Sequence, residues 1–226
     1  MNLSSAVGYP SHASLSTPAK PIVFVVDDDV SVRESLSLLL RHEGWQSETF
    51  TSAQDFLDRS PVMVPSCLLL DICLPGISGL DLQRLFAVRR TVTPIIFITG
   101  HGDVPKAVQA FKDGAVEFLT KPLNDEKVVS AVRQALKRSQ SALITKAQMD
   151  RLRDCHASLT PREQQVMALV VLGKLNKEVA YELQISEITV KAHRGRVMQK
   201  MEANSFADLV KMADKLQLAH KEISLA

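Results

Sequence analysis

Cysteine is scarce in this sequence. Three in 226 residues (Cys67, Cys73 and Cys155) form an odd, scattered set with no C-x-x-C spacing. That excludes a disulfide scaffold and a zinc site, and it fits reduced thiols in a cytosol. Long apolar runs are also missing. None approaches the roughly 18 residues that a membrane span needs, so no membrane partner is expected. The first 20 residues, MNLSSAVGYPSHASLSTPAK, lack a basic segment followed by an apolar core. They read as a flexible tail, not a signal peptide. Low-complexity segments and internal repeats are absent too.

What is present is apolar material for real cores, 46% of residues, in a chain long enough for one large or two small domains. The net charge of +2 hides an asymmetry. Residues 21–138 carry 13 Lys and Arg against 15 Asp and Glu, whereas residues 139–226 carry 13 against 10. An acidic front and a basic back indicate two modules, with any polyanion bound at the back.

The front alternates. IVFVVD, QSETF, SCLLLD, PIIFIT and VEFLT read as strands. Between them come helical patterns: one after Asp29 that Gly44 stops, one capped by Ser52, LDLQRLFAVRR, VPKAVQAFKDG, and a last helix from about Asn124. Five alternations in some 115 residues predict a parallel sheet covered by helices on both faces. The last helix meets no Pro or Gly before His156, and its apolar positions thin out after Leu136. Its second half reads as a helical linker, 139–154, in which Leu143, Ile144 and Leu152 offer a short coiled-coil contact.

Open parallel sheets bind ligands at the carboxyl ends of their strands. Strand one ends in Asp27 and Asp28, strand three in Asp71, strand four in Thr99, and Lys121 lies just past strand five. Hard carboxylate oxygens suit Mg²⁺, while an ammonium and a hydroxyl suit phosphoryl oxygens. The expected chemistry is phosphoryl transfer to or from a carboxylate. Taken singly, each residue has a plainer reading: aspartates at strand ends cap helices, Thr fits strands, and Lys is usually solvated. Asp29 is expected to be such a cap, with Ser31 and Glu34 as an alternative capping box. His101 lies nearby, but the chemistry already has its nucleophile. The weight rests on the coincidence at successive strand ends.

The blocks VVDD, LLLDICLPGISG, IIFITGHGDV and FLTKP resemble the receiver domain of bacterial two-component response regulators, over residues 21–138. ITGHGDVPKAV is similar to the FixJ branch. The resemblance implies a flavodoxin-like receiver with strand order 2-1-3-4-5. It makes Asp71 the phosphorylation site and Mg²⁺ the cofactor. Its protein ligands would be Asp27, Asp28, Asp71 and the backbone carbonyl of Cys73. It implies that Lys121, before a cis bond to Pro122, binds the phosphoryl group, and that Thr99 and Phe118 move with the switch.

The back module opens with LTPREQQVMALVVLG, in which Thr160, Pro161 and Glu163 make a capping box and Gly173 ends the helix. Asn176 is expected to cap a short helix running to Gln184. Ile185 and Ser186 form a turn, and a basic helix spans Glu187 to Met201. Four short helices with this layout predict a helix-turn-helix at about 176–201. Val190, Val197 and Met201 have the spacing of a buried stripe. The other face carries Thr189, Lys191, His193 and Arg194, with Lys200 beyond, and a solvated charged face is the plainer reading. The string LTPRE, NKEVA, TVK and HR resembles the LuxR-type DNA-binding domain over residues 155–219. By that resemblance Asn176, Lys177, Thr189, Lys191, His193, Arg194 and Lys200 would face DNA, and the last helix, 205–218, would pair two copies. Gly195 interrupts the helix, and no contact is expected of it.

The expected whole is therefore an α/β receiver (21–138) and an all-α four-helix helix-turn-helix domain (155–219). A tail of 220–226 follows. The resemblance implies a cytoplasmic transcriptional activator rather than an enzyme. A sensor histidine kinase would phosphorylate it. It would pair as a homodimer through the face built from the helix at 104–114, the fifth strand and the helix after it, and work with promoter DNA and RNA polymerase. Two rivals stand beside it. A haloacid-dehalogenase-like phosphatase would use Asp27 as nucleophile with Asp29, Thr99 and Lys121. An interaction protein would keep the receiver but not bind DNA.

Overall fold

The structure is a computed structural model, and it describes residues 20–88, 91, 93–100 and 114–217. Residues 1–19 and 218–226, His101, and 104–113 of the helix expected at 104–114 lie outside the described residues.

The strands are β1 (Ile22–Val26), β2 (Gln46–Phe50), β3 (Ser66–Asp71), β4 (Ile95–Thr99) and β5 (Glu117–Thr120). They form one parallel sheet in the order β2-β1-β3-β4-β5. Successive side chains of a strand point to opposite faces. Val23, Val25, Leu69, Ile96 and Ile98 therefore pack on one face, against Leu36 and Leu40 of α1 (Val30–His42) and Val128, Val132 and Leu136 of α4 (Asp125–Ala157). Phe24, Val26, Leu68, Leu70 and Phe97 pack on the other, against Phe56 of α2 (Ala53–Asp58) and Leu82 and Phe86 of α3 (Gly79–Val88). Burial on both faces is why β3 and β4 read as unbroken apolar runs. β2 has one neighbour only, and its alternation is correspondingly weak.

Local chemistry sets the boundaries. The Asp29 carboxylate accepts from the Ser31 amide at 2.8 Å and starts α1, so the alternative box at Ser31 does not form. Gly44, at φ +81, takes the left-handed turn after it. Ser52 caps α2 by accepting from Asp55 N–H at 3.1 Å. The Lys121–Pro122 bond is cis.

The chain divides into two compact units after Leu143. The second contains α5 (Pro161–Val171), α6 (Asn176–Leu183), α7 (Glu187–Lys200) and α8 (Phe206–Lys215) around Leu159, Val166, Met167, Val170, Val179, Val190, Val197, Met201 and Leu209. Thr160 and Glu163 form the expected capping box. α4 runs unbroken through the expected linker, 139–154. Ser139 is buried in the first unit, where its hydroxyl accepts from Ser66 N–H at 3.0 Å. Of the three residues that suggested a coiled-coil contact, Leu152 packs on the second unit's core and Ile144 is half exposed. No helix among the described residues is long and apolar enough to cross a membrane.

Candidate functional site

Strand register builds the first site. Val26 pairs with Leu70, Asp71 with Ile98 and Thr99 with Thr120, so the ends of four neighbouring strands line up. Asp27, Asp28, Asp71 and Lys121 follow or end those strands. One carboxylate oxygen from each of Asp27, Asp28 and Asp71 lies within 4.8 Å of the others. Asp27 and Asp71 are buried and Asp28 is exposed. Lys121 Nζ stands 2.7 Å from Asp71 Oδ2, to which it donates a hydrogen bond. It also lies 2.9 Å from Asp27 Oδ2, an ion pair without hydrogen-bond alignment.

The remaining oxygens are held by backbone. Asp29 N–H donates to Asp27 Oδ1 at 3.0 Å, and Cys73 N–H donates to Asp71 Oδ1 at 2.8 Å. Burial pushes the Asp27 carboxyl above its usual range, against the pull of Lys121 and the Asp29 amide. Burial acts downward on Lys121, but its hydrogen bond to Asp71 and the close Asp27 and Asp71 carboxylates outweigh it and raise the ammonium. Three carboxylates face one ammonium, an excess of two negative charges that a divalent cation matches. The donors are hard oxygens, so the residues fit Mg²⁺. The Cys73 thiol is exposed and plays no part in this set.

Thr99 is buried at the end of β4, and its hydroxyl donates to the Gly100 carbonyl at 3.2 Å. Phe118 is half-buried against the α2–α3 core face. Two residues escaped the sequence reading. Arg33 donates from one Nη to the carbonyls of Asp27 (2.7 Å) and Asp28 (2.9 Å), which locks the aspartate turn from inside α1. Gly79 opens α3 so close to β3 that a Cβ there would sit 2.4 Å from the Asp71 carbonyl oxygen.

The phosphatase reading needs Asp29 as the second carboxylate. Asp29 is exposed, and its carboxylate is spent on the Ser31 amide; Asp28 joins the cluster instead.

The second site is the helix pair α6–α7. Val190, Val197 and Met201 are buried as expected. Ser186 caps α7 by accepting from Thr189 N–H at 3.1 Å. The predicted DNA-facing set divides. Lys177 and Lys191 are exposed. Asn176 is not a cap: it is the first residue of α6, and its Oδ1 accepts from Arg194 at 2.6 Å. The Arg194 guanidinium carbon lies 5.4 Å from the Phe206 ring centre. Thr189 and His193 are half-buried, and His193 Nδ1 is enclosed without a hydrogen-bond partner. Lys200 donates to Glu163 Oε2 at 2.7 Å and to the Ser158 carbonyl at 3.1 Å. Asn176, Arg194 and Lys200 thus have partners inside the domain, and on α7 Thr189, His193, Arg194 and Lys200 are all half-buried, an arc wider than the three-residue stripe. The exposed positions of α7 are Glu187, Ile188, Lys191, Ala192, Gly195, Arg196 and Gln199.

Comparison with known proteins accounts for both units. Residues 23–133 match the response regulator receiver domain, and residues 157–213 match the bacterial regulatory proteins of the luxR family. Nodulation protein W of Bradyrhizobium diazoefficiens is 47% identical over 212 residues, covering 94% of this chain and 92% of that protein. The transcriptional regulatory protein FixJ of the same organism is 39% identical over 84% of this chain and 93% of its own length. Among solved structures, the response regulator StyR superposes with a TM-score of 0.78 at 45% identity, covering 87% of this chain and 100% of that one. Full-length FixJ from B. japonicum gives 0.53 at 38% identity, covering 89% and 99%. The chain belongs to the response regulators that join a receiver domain to a LuxR-type DNA-binding domain, the group of FixJ and nodulation protein W, and it is a transcriptional regulator of that kind.

Proposed function

We propose that Asp71 is the phosphoryl acceptor of a two-component switch that controls DNA binding by the C-terminal unit. The observation that carries this reading is the cluster at the strand ends, where Asp71 sits between the Lys121 ammonium and the Asp27–Asp28 pair. An Asp71 carboxylate oxygen attacks the phosphorus of a phosphohistidine on a sensor kinase. The phosphorus–nitrogen bond breaks, its electron pair leaves with the imidazole, and an acyl phosphate remains. Lys121 offers a fixed positive charge to the new phosphoryl oxygens. Mg²⁺, held by Asp27, Asp28, Asp71 and the Cys73 carbonyl, supplies charge neutralisation when bound. The group is a stored signal, so the protein works as a switch and not as a turnover enzyme.

Thr99, at the end of β4, is placed to answer the phosphoryl group with its hydroxyl, and Phe118 on β5 repacks with it. The face of β5 and the first turns of α4 then favours a homodimer, and α8 pairs the C-terminal units. Two copies of α7 reach related half-sites of promoter DNA. Lys177 and Lys191 contact DNA, joined by the exposed Arg196, while Asn176, Thr189, His193, Arg194 and Lys200 hold the helices in place. The protein acts in the cytoplasm as an activator alongside RNA polymerase. We assign the receiver to 21–138 and the DNA-binding domain to 155–219.

Incubation of the purified protein with labelled acetyl phosphate and Mg²⁺ tests the acceptor. The natural chain takes up label, and Asp71→Asn takes up none. Label that survives in Asp71→Asn refutes the assignment.

A further inference from the structure

α7 presents an apolar centre where a recognition helix meets bases. At about 100° per residue, Ile188 lies about 180° around the helix from Val197 and about 160° from Val190. Those two are buried, and Ile188 is 80% exposed. It stands in the first turn, after the Ser186 cap, where helix-turn-helix domains contact base edges. Ala192, Gly195 and Gln199 follow along the same line, one, two and three turns on. A Cβ added at Gly195 would meet nothing within 4 Å, so the line is unobstructed. Lys191 flanks it on one side and Arg196 on the other, both exposed. A single exposed isoleucine is ordinary on a protein surface. This one occupies the middle of the solvent face of a helix, between Lys191 and Arg196 with Glu187 beyond Lys191, in a domain that matches a DNA-binding family.

We propose that Ile188 is a specificity-determining residue that reads the C5-methyl group of thymine in the major groove. The flanks carry the charge that draws the helix to phosphate, and that charge selects no sequence. Ala192 and Gly195 are too small to hold the helix away from the base edges. An aliphatic side chain has no hydrogen-bonding atom to offer a base. The apolar feature of a base pair in the major groove is the thymine methyl. The cationic flanks commit the occupant to a nucleic acid, and the methyl commits it to thymine. This inference rests on DNA binding by the C-terminal unit.

The test uses the full-length chain, treated with acetyl phosphate and Mg²⁺. Preferred sites are first selected from random double-stranded DNA. Each thymine of the selected site is then replaced in turn by deoxyuridine, which removes the methyl and leaves the base-pairing edge intact. Affinities are compared for the natural chain and Ile188→Ala, a surface change that keeps the helix. The natural chain is expected to lose roughly fourfold at one thymine per half-site, the factor that burying one CH₂ group is worth. Ile188→Ala is expected to lose nothing at that thymine and to select sites in which the position is no longer fixed. Equal losses in both proteins, no loss in either, or unchanged site preference in the variant overturns the assignment of Ile188. Failure of the natural chain to select any sequence is a different result. It removes the DNA-binding reading itself, and this inference with it.

Discussion

Glu163 is the most constrained titratable residue of the C-terminal unit. Its carboxylate accepts from the Thr160 amide at 2.9 Å and from Lys200 Nζ at 2.7 Å. The Lys200 hydrogen bond, then the Thr160 amide, hold its pKa down at about 2 against a usual 4.5. A carboxyl depressed in the folded state contributes stability that is fully present above the unfolded value. That stability is lost as pH falls through the folded one. The natural protein is therefore expected to lose stability in this unit as pH drops from about 4.5 towards 2. Glu163→Gln keeps the shape and removes the charge, so its unfolding midpoint should lie several degrees lower at pH 7. The two midpoints should converge towards pH 2, as followed by circular dichroism. Parallel curves across that window would show that the ion pair contributes nothing. Single residues of the acidic site were legible in the sequence because Asp27, Asp28, Asp71 and Lys121 all fall at strand ends, and the strand order that the resemblance implied brings those ends together. Gly79 was not legible. The PGISG stretch offers two glycines, and only the packing distinguishes Gly76, needed for its φ of +77, from Gly79, needed for its closeness to the Asp71 carbonyl.

Among the elements, α7 shows what a helical pattern reveals and what it leaves out. The period of Val190, Val197 and Met201 locates the middle of the buried face. The width of that face is set by neighbours distant in sequence. Asn176 and Phe206 hold Arg194, and Glu163 holds Lys200; nothing within 187–200 encodes those partners. The sequence reading therefore placed Thr189, His193 and Arg194 on the open side, where Ile188, Ala192 and Arg196 stand. Gly195 lies on that open side with helical backbone and free space around it. Its cost is then only the loss of backbone freedom on folding, about 1 kcal/mol relative to alanine. Gly195→Ala is expected to raise the unfolding midpoint of the C-terminal unit by roughly 4–8 °C, the usual equivalent of 1 kcal/mol in a domain of this size. Scanning calorimetry measures it, and an unchanged or lower midpoint contradicts the open surroundings described here.

On the scale of the whole molecule, the division into two modules was legible from charge: the acidic front holds the carboxylate cluster and the basic back holds the exposed lysines. The exact limits were not, because α4 is continuous and its polar stretch gives up residues at both ends to the two cores. Those cores have no residue in common, which predicts two unfolding transitions in one chain. Mg²⁺ separates them. A ligand that binds only the folded state stabilises it by roughly 2.7 kcal/mol at a hundred times its dissociation constant. The carboxylate cluster belongs entirely to the first unit, so saturating Mg²⁺ should move one transition up by about 10 °C and leave the other in place. Asp28 is the exposed member, so Asp28→Asn removes a proposed ligand without opening the core. Its receiver transition should start at or above that of the natural chain without Mg²⁺, since like charges crowd Asp27 and Asp71, and should respond far less to the ion. A shift of both transitions together would place the metal's effect outside the cluster. A full Mg²⁺ response in Asp28→Asn would mean that the cation is held by other residues.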